Sequence, residues 1–365
     1  MALNTSTLTT PAAGGTRRKP GPDVVRAVAL IGVVVMNYHG YLILRGASRG
    51  SGWADDLFDP WRGPLSTRFA ATFVLVAGVG VTLLTRRSIG DPDRVTDMRW
   101  RLVRRGAILY VGGLFLDTIW AGTIIPFYGA MFVLAAALFT LRSRWVLLVG
   151  AAAVAAGAVL SAWRFRQDEA GRSTAWLFSP DGGSPTSYVF DVFVNGTHPL
   201  LPWLGFFCVG IVLGRRLGRP GWRTTAAGAG LMLFAGAKVV NGLADTEFSE
   251  LVLSTHPFSR SVVYVASALG TALVAYVVVD VVAERFTDAV DPLRRAGQLS
   301  LSLYLLHIVV FNVVVDWTGW VTPAGLGTSL AFAGTFWVVG IALAVAWHRR
   351  FGRGPAERVY RAIGG

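Results

Sequence analysis

The feature that most constrains this chain is an alternation of long apolar runs with short arginine-rich clusters. Ten apolar runs occur, at 24–44, 65–85, 102–120, 123–141, 145–163, 200–217, 224–243, 261–283, 299–317 and 325–347. A helix rises about 1.5 Å per residue, so each run is long enough to cross a hydrocarbon core about 30 Å thick. Inside lipid every backbone N–H and C=O has to be paired within the protein, which makes each such run a helix. The predicted fold is therefore all-α, a polytopic membrane helix bundle of about ten transmembrane helices. Composition agrees: charged residues are 15% of the chain and apolar ones 53%, against roughly 25% charged in soluble domains.

The arginines set the expected orientation, because basic loops stay on the cytoplasmic side. With both termini inside, most of the 34 basic residues fall on one face, including Arg17, Arg18, Lys19, Arg86, Arg87, Arg99, Arg101, Arg104, Arg105, Arg215, Arg216 and the group from Arg349 to Arg361. Topology thus accounts for the net charge of +13, and a nucleic-acid partner is not expected. Membrane lipids are, and a homodimer is admitted. The expected division is a disordered cytoplasmic tail at 1–22, a transmembrane domain at 23–350 and a cytoplasmic tail at 351–365. The first apolar run exceeds the roughly 7–15 residues of a signal-peptide core, so it is expected to remain as the first span of a plasma-membrane protein. The single cysteine, Cys208, excludes an intrachain disulfide and a cysteine zinc site. No metal-ligand cluster, phosphate-cradling loop or nucleophile elbow is present, and no metal is expected.

Polar groups inside a bilayer are expensive and mark sites or interhelical bonds. With that topology four of the five histidines, His39, His198, His256 and His307, fall in the outer half or the membrane interior. Asn37, Tyr38 and His39 bring an amide, a phenol and an imidazole to the outer end of the first span. Ser300, Tyr304 and His307 share a helical face by their spacing, as a substrate wall or a packing seam. His198 and His256 each precede a proline, which fits helix capping as well as binding. Arg68 and Lys238 sit near outer span ends, where they either snorkel or bind an acidic group. Two long outer segments, 45–64 and 164–199, suggest a lid or rim over an outward cavity; the second carries Ser179-Pro180-Asp181-Gly182-Gly183. At the opposite face Arg99, Arg101, Arg104, Arg105 and Arg215 suit either a polyphosphate donor or anionic lipid.

Several stretches carry a family resemblance. The run from Arg26 to Gly32, followed by Met36-Asn37, resembles the first helix of the heparan-α-glucosaminide N-acetyltransferase-like proteins of the transmembrane acyltransferase superfamily. The stretch from Phe73 to Gly80, the run from Asn195 to Gly205, including Trp203, and the pair His256–Ser259 and Gly297–His307 are similar to the YeiB-like bacterial members. The resemblance implies a helix bundle that takes an acetyl or other acyl group from cytosolic acyl-CoA. It implies an acceptor hydroxyl or amine, such as a glycan or glycolipid, at the outer face. It also implies a catalytic histidine near the outer end of the first span. Ser48 stands where better-known members carry that histidine, and His39 is the nearest imidazole. Trp53 to Phe58 resembles the family's Ala-Asp-Leu stretch, so Asp55 or Asp56 is expected to orient the base or the acceptor.

The expected function is acyl-CoA-dependent acyl transfer. His39 would be the base with Asp55 or Asp56 as its partner. Asn37, Tyr38, Arg68, His198, Trp203, His256, Tyr304 and His307 would form the acceptor wall. Arg99, Arg101, Arg104, Arg105 and Arg215 would sit near the CoA phosphates. The rival expectation is a multi-pass transporter or exporter of a small or lipidic substrate, since buried His, Lys and Arg suit that nearly as well.

Overall fold

A computed structural model describes residues 19–178 and 184–365. Most of the expected N-terminal tail and the segment from Ser179 to Gly183 lie outside the described residues. All described elements are helical. The helices are α1 (Gly21–Leu44), α2 (Trp53–Phe58), α3 (Arg68–Thr85), α4 (Pro92–Asp117), α5 (Ile125–Leu138), α6 (Ser143–Glu169), α7 (Ala175–Phe178) and α8 (Pro185–Phe190). There follow α9 (Leu200–Arg216), α10 (Trp222–Asn241), α11 (Glu247–Leu253), α12 (Val262–Arg285), α13 (Asp291–Gln298), α14 (Ser300–Phe311), α15 (Leu326–Phe351) and α16 (Pro355–Gly364). Wider π-helical turns continue α8 at Asp191–Asn195 and α14 at Asn312–Trp317.

Each of the ten apolar runs lies on a helix. Among the described residues six stretches are long and apolar enough to cross a membrane: α1, α3, α6, α12, Ser300–Trp317 and α15. A seventh arises if Thr186–Asn195 and α9, bent by 59° at their junction, are taken together. With large apolar side chains such as Phe115, Val159, Met232 and Val338 exposed on its exterior, the chain is a multi-pass membrane protein.

Local sequence fixes where several helices begin. Pro92 opens α4, and the Asp91 carboxylate in front of it accepts the N–H groups of Asp93 and Arg94, each at 3.2 Å. The Ser261 hydroxyl accepts the Tyr264 N–H at 2.9 Å and starts α12. Between helices the packing relies on small residues. A Cβ added to Gly78 on α3 would lie 2.2 Å from the Phe207 carbonyl of α9, and one on Gly210 would lie 2.0 Å from the Leu75 carbonyl. The two backbones are in direct contact, which only glycine permits.

The core gathers around α1. Tyr38 is fully buried, stacked on Phe332 at 4.4 Å with Phe311 and Phe336 beside it. At the arginine-bearing end of the bundle, Asp23 and Asp280 are buried as well. Asp23 accepts from Gln298 at 2.9 Å, and Asp280 accepts from Arg223 Nε at 2.9 Å. Satisfied in this way, the two carboxylates tie α1, α10, α12 and α13 together without the cost of an unpaired buried charge.

Candidate functional site

At the other end of the bundle a cavity of ≈ 210 Å³ opens beside the last turns of α1. Its wall includes Asn37, Tyr41, Trp61, His198, Phe258 and Tyr304. A second cavity of ≈ 520 Å³ shares Gly122 and Thr197 with the first and adds Asp117 and Asp191. The long segments 45–64 and 164–199 both contribute to these walls, through Pro60 and Trp61 and through Thr197 and His198. Asp117, which lines the larger cavity, and Arg105 are both on α4, twelve residues or about 18 Å apart along its axis.

Helical geometry decides which residues of α1 reach the cavity. Val33, Asn37, Tyr41 and Leu44 recur every three or four positions and line it. His39 is two residues past Asn37, about 200° around the helix, and is not among the lining residues. It is 3% exposed, with Nδ1 3.0 Å from the Ser329 hydroxyl of α15. Asp55 accepts the Gly52 N–H at 3.1 Å and caps α2, while Asp56 is exposed. Ser48 is bound to the Ala324 carbonyl through its N–H at 2.7 Å and its hydroxyl at 2.6 Å.

Asn37, Tyr304 and His307 do come together. His307 is fully buried and its Nδ1 donates to the Tyr304 carbonyl. A carbonyl only accepts, so the proton is on Nδ1, and the Nε2 lone pair accepts from Asn37 Nδ2 at 3.3 Å. Tyr38 stands behind them and donates its hydroxyl to the His307 carbonyl at 3.0 Å. Its place is the core, as the aromatic contacts show, rather than the cavity wall. The Tyr304 hydroxyl pairs with Thr123 Oγ1 at 2.9 Å and accepts the Ile124 N–H at 3.3 Å.

His198 occupies the elbow between the Asp191–Asn195 turn and α9. Arg260 holds this elbow by donating to the carbonyls of Val194, Asn195 and Gly196. The buried Trp203 meets the His198 ring at 4.5 Å and 77°, so it positions the imidazole from behind. His198 lines the smaller cavity, and its Nδ1 is buried without a hydrogen-bond partner among the described residues. A buried polar atom of this kind marks a place where a ligand or water completes the bonding.

His256 follows its capping role. Its Nδ1 accepts the Phe258 N–H at 3.3 Å, at the start of the Pro257–Ser259 turn. Burial lowers its pKa below the ordinary histidine value, the Arg62 charge adds to this, and Asp59 opposes it. Arg68, at the first turn of α3, reaches the Thr255 carbonyl at 3.5 Å and lies 5.6 Å over the Tyr264 ring, with Nη1 unpartnered among the described residues.

The arginines of the opposite end divide into two groups. Arg215 donates to the carbonyls of Leu141 at 2.9 Å and Phe139 at 3.0 Å and to the Ser143 hydroxyl at 3.2 Å, closing the end of α5. Arg99 reaches Thr140 Oγ1 at 3.4 Å. Arg101, Arg104 and Arg105 instead converge where α16 crosses α4. Neither cavity is lined by any of these arginines.

Tyr41, Thr197 and Phe258 are further wall residues, outside the set expected from the sequence. Tyr41 was accessible from its four-residue spacing to Asn37. Thr197 and Phe258 lie on turns, whose direction no periodicity encodes.

A helical membrane bundle with the His198 imidazole on a cavity wall at one end and an arginine cluster at the other is a polytopic membrane protein with two chemically distinct ends. The catalytic-domain model described as heparan-alpha-glucosaminide N-acetyltransferase, catalytic, matches residues 18–244, more than half of the chain. The chain belongs to this family of membrane acetyltransferase-like proteins. A second family, described only as a protein of unknown function (DUF418), matches residues 214–364. A comparison with individually curated proteins gives no significant match.

Proposed function

We propose that the protein is a plasma-membrane acyltransferase with ten spans and both termini inside, using cytosolic acyl-CoA, in the first place acetyl-CoA, as donor. The acceptor is a hydroxyl or amine, on a glycan or glycolipid, held in the cavity at the outer face. One observation carries this reading: His198 lines a cavity together with Asn37 and Tyr304 and has a buried ring nitrogen without a partner among the described residues. The family supplies the donor class.

In the proposed step the acceptor oxygen or nitrogen attacks the thioester carbonyl while His198 takes its proton. The C–S bond then breaks and the imidazolium returns the proton to the departing CoA sulfur. Asn37 and Tyr304 hold the acceptor or the developing oxyanion. His198 is favoured over His39 because His39 faces Ser329 and not the cavity. The CoA phosphates remain at Arg101, Arg104 and Arg105, so the flexible pantetheine arm has to follow α4 toward Asp117.

The test uses purified protein in vesicles with labelled acetyl-CoA and amine or hydroxyl acceptors. His198→Ala is expected to lower transfer by about 10²–10⁴-fold, the usual contribution of a general base. Unchanged transfer in His198→Ala with loss in His39→Ala would move the chemistry to the α1–α15 seam. Substrate flux across the vesicle without acetyl consumption would establish transport instead.

A further inference from the structure

The C-terminal helix α16 lies across α4 and α14, and its two ends are held very differently. At its first turn the Glu357 carboxylate accepts the N–H groups of Leu301 at 2.8 Å and Ser302 at 3.2 Å, together with the Ser302 hydroxyl. The Ser302 hydroxyl oxygen in turn accepts the Ala356 N–H at 3.1 Å. A carboxylate on the exposed N–H groups of a helix start is a charge-assisted anchor. Gly352, at φ 74°, provides the backbone turn that brings α16 back from α15.

The last turn of α16 sits among the arginines. Arg105 is 7% exposed, donates to the Gly365 carbonyl and lies 5.4 Å over the Tyr360 ring. A Cβ on Gly364 would lie 2.6 Å from Arg105 Cγ; one on Gly365 would lie 3.0 Å from Arg104 Nη2 and 3.3 Å from Arg101 Nε. Yet Arg101 Nε, Arg105 Nε and the Tyr360 hydroxyl are buried without hydrogen-bond partners among the described residues. The backbone thus fills the space in front of these guanidinium groups and leaves two of their Nε groups and the Tyr360 hydroxyl unpaired among the described residues. A phosphate offers several charged acceptor oxygens in the same space and is the better partner for guanidinium groups.

We propose that α16 is a strap over this anion site, and that a phosphate-bearing donor reaches Arg101, Arg104 and Arg105 by displacing the Tyr360–Gly365 turn. Glu357 is the tether that sets how readily the strap lifts. The proposal rests on the donor reading above and adds its regulation: strap and donor compete, so the fraction of molecules with the strap lifted scales the apparent donor affinity.

Coenzyme A binding to the full chain in lipid nanodiscs tests it, with Arg104→Ala, Glu357→Ala and the unaltered protein compared. Arg104→Ala is expected to weaken binding about tenfold, the loss of one charge-assisted contact. Glu357→Ala is expected to tighten it roughly threefold or more, because the tether no longer opposes the donor. Weakening by Arg104→Ala with unchanged or poorer binding in Glu357→Ala overturns the strap and leaves the donor site standing. Unchanged binding in Arg104→Ala overturns the donor site and the strap with it. Amide exchange on the unaltered protein gives a second readout that does not depend on how a variant folds. Coenzyme A is expected to speed exchange across residues 355–364; equal or slower exchange there overturns the strap.

Discussion

Asn37 on α1 gives its amide N–H to Nε2 of His307 on α14, across 270 residues of sequence, at 3.3 Å. Because the His307 Nδ1 proton is committed to the Tyr304 carbonyl, the imidazole can only accept at Nε2, and the Asn37 amide is oriented by it. The cavity wall inherits its polarity from a residue that does not line it.

Replacing Asn37 with aspartate should expose that dependence. The carboxylate has no N–H for the Nε2 lone pair, leaving a buried acceptor without its donor at a cost of about 1–3 kcal/mol. Thermal unfolding in detergent should show a lower midpoint for both Asn37→Asp and Asn37→Ala than for the unaltered protein, and acetyl transfer should fall in both. A midpoint unchanged in both would remove the Asn37–His307 bond as a stabilising contact.

His39→Ala is expected to be mild. Its visible polar contact is Ser329, and a buried hydrogen bond contributes about 0.5–1.5 kcal/mol net. Transfer should stay within a few-fold of the unaltered protein while the melting midpoint drops, and His39→Gln should restore part of the midpoint.

Helix contact between α3 and α9 has no room for a side chain. Gly210→Val should destabilise the bundle by at least about 1–3 kcal/mol through forced separation of the backbones. Gly218→Ala tests backbone conformation without crowding, since nothing lies within 4 Å of it although its φ is +84°. Unfolding midpoints of the two variants check this, with the larger loss expected in Gly210→Val.

Acidification should weaken the Pro257–Ser259 turn. The folded-state pKa of His256 is lowered, chiefly by burial, so the unfolded chain binds the proton more readily than the folded one. The stabilising contribution is complete above the unfolded value, about 6.5. It is lost as pH falls from there toward the folded value, because the unfolded state takes up more protons in that window. Melting curves between pH 8 and 5 should show this slope, and His256→Asn, which keeps an acceptor for the Phe258 N–H, should flatten it.

Arg215→Ala separates the two arginine groups. It removes bonds to Phe139, Leu141 and Ser143, so it should lower the unfolding midpoint and leave coenzyme A affinity unchanged. A tenfold loss of affinity would return Arg215 to the donor site.

Run length and composition were enough to specify an all-helical membrane bundle, because the hydrophobic effect and the need to pair every backbone group in lipid act on them alone. The same run spacing put all ten apolar segments on helices, and the family was legible in short stretches such as Arg26–Gly32. Tertiary structure decided which face of each helix meets which neighbour. Thus His39 turned to Ser329, Asn37 turned to the cavity, Tyr38 entered the aromatic core and Arg215 became a helix cap. It also brought His198 to the wall through an elbow held by Arg260, and laid α16 over Arg105. Those outcomes depend on contacts between residues far apart in sequence, whose directions are set by close packing of several helices at once. No single segment carries that information.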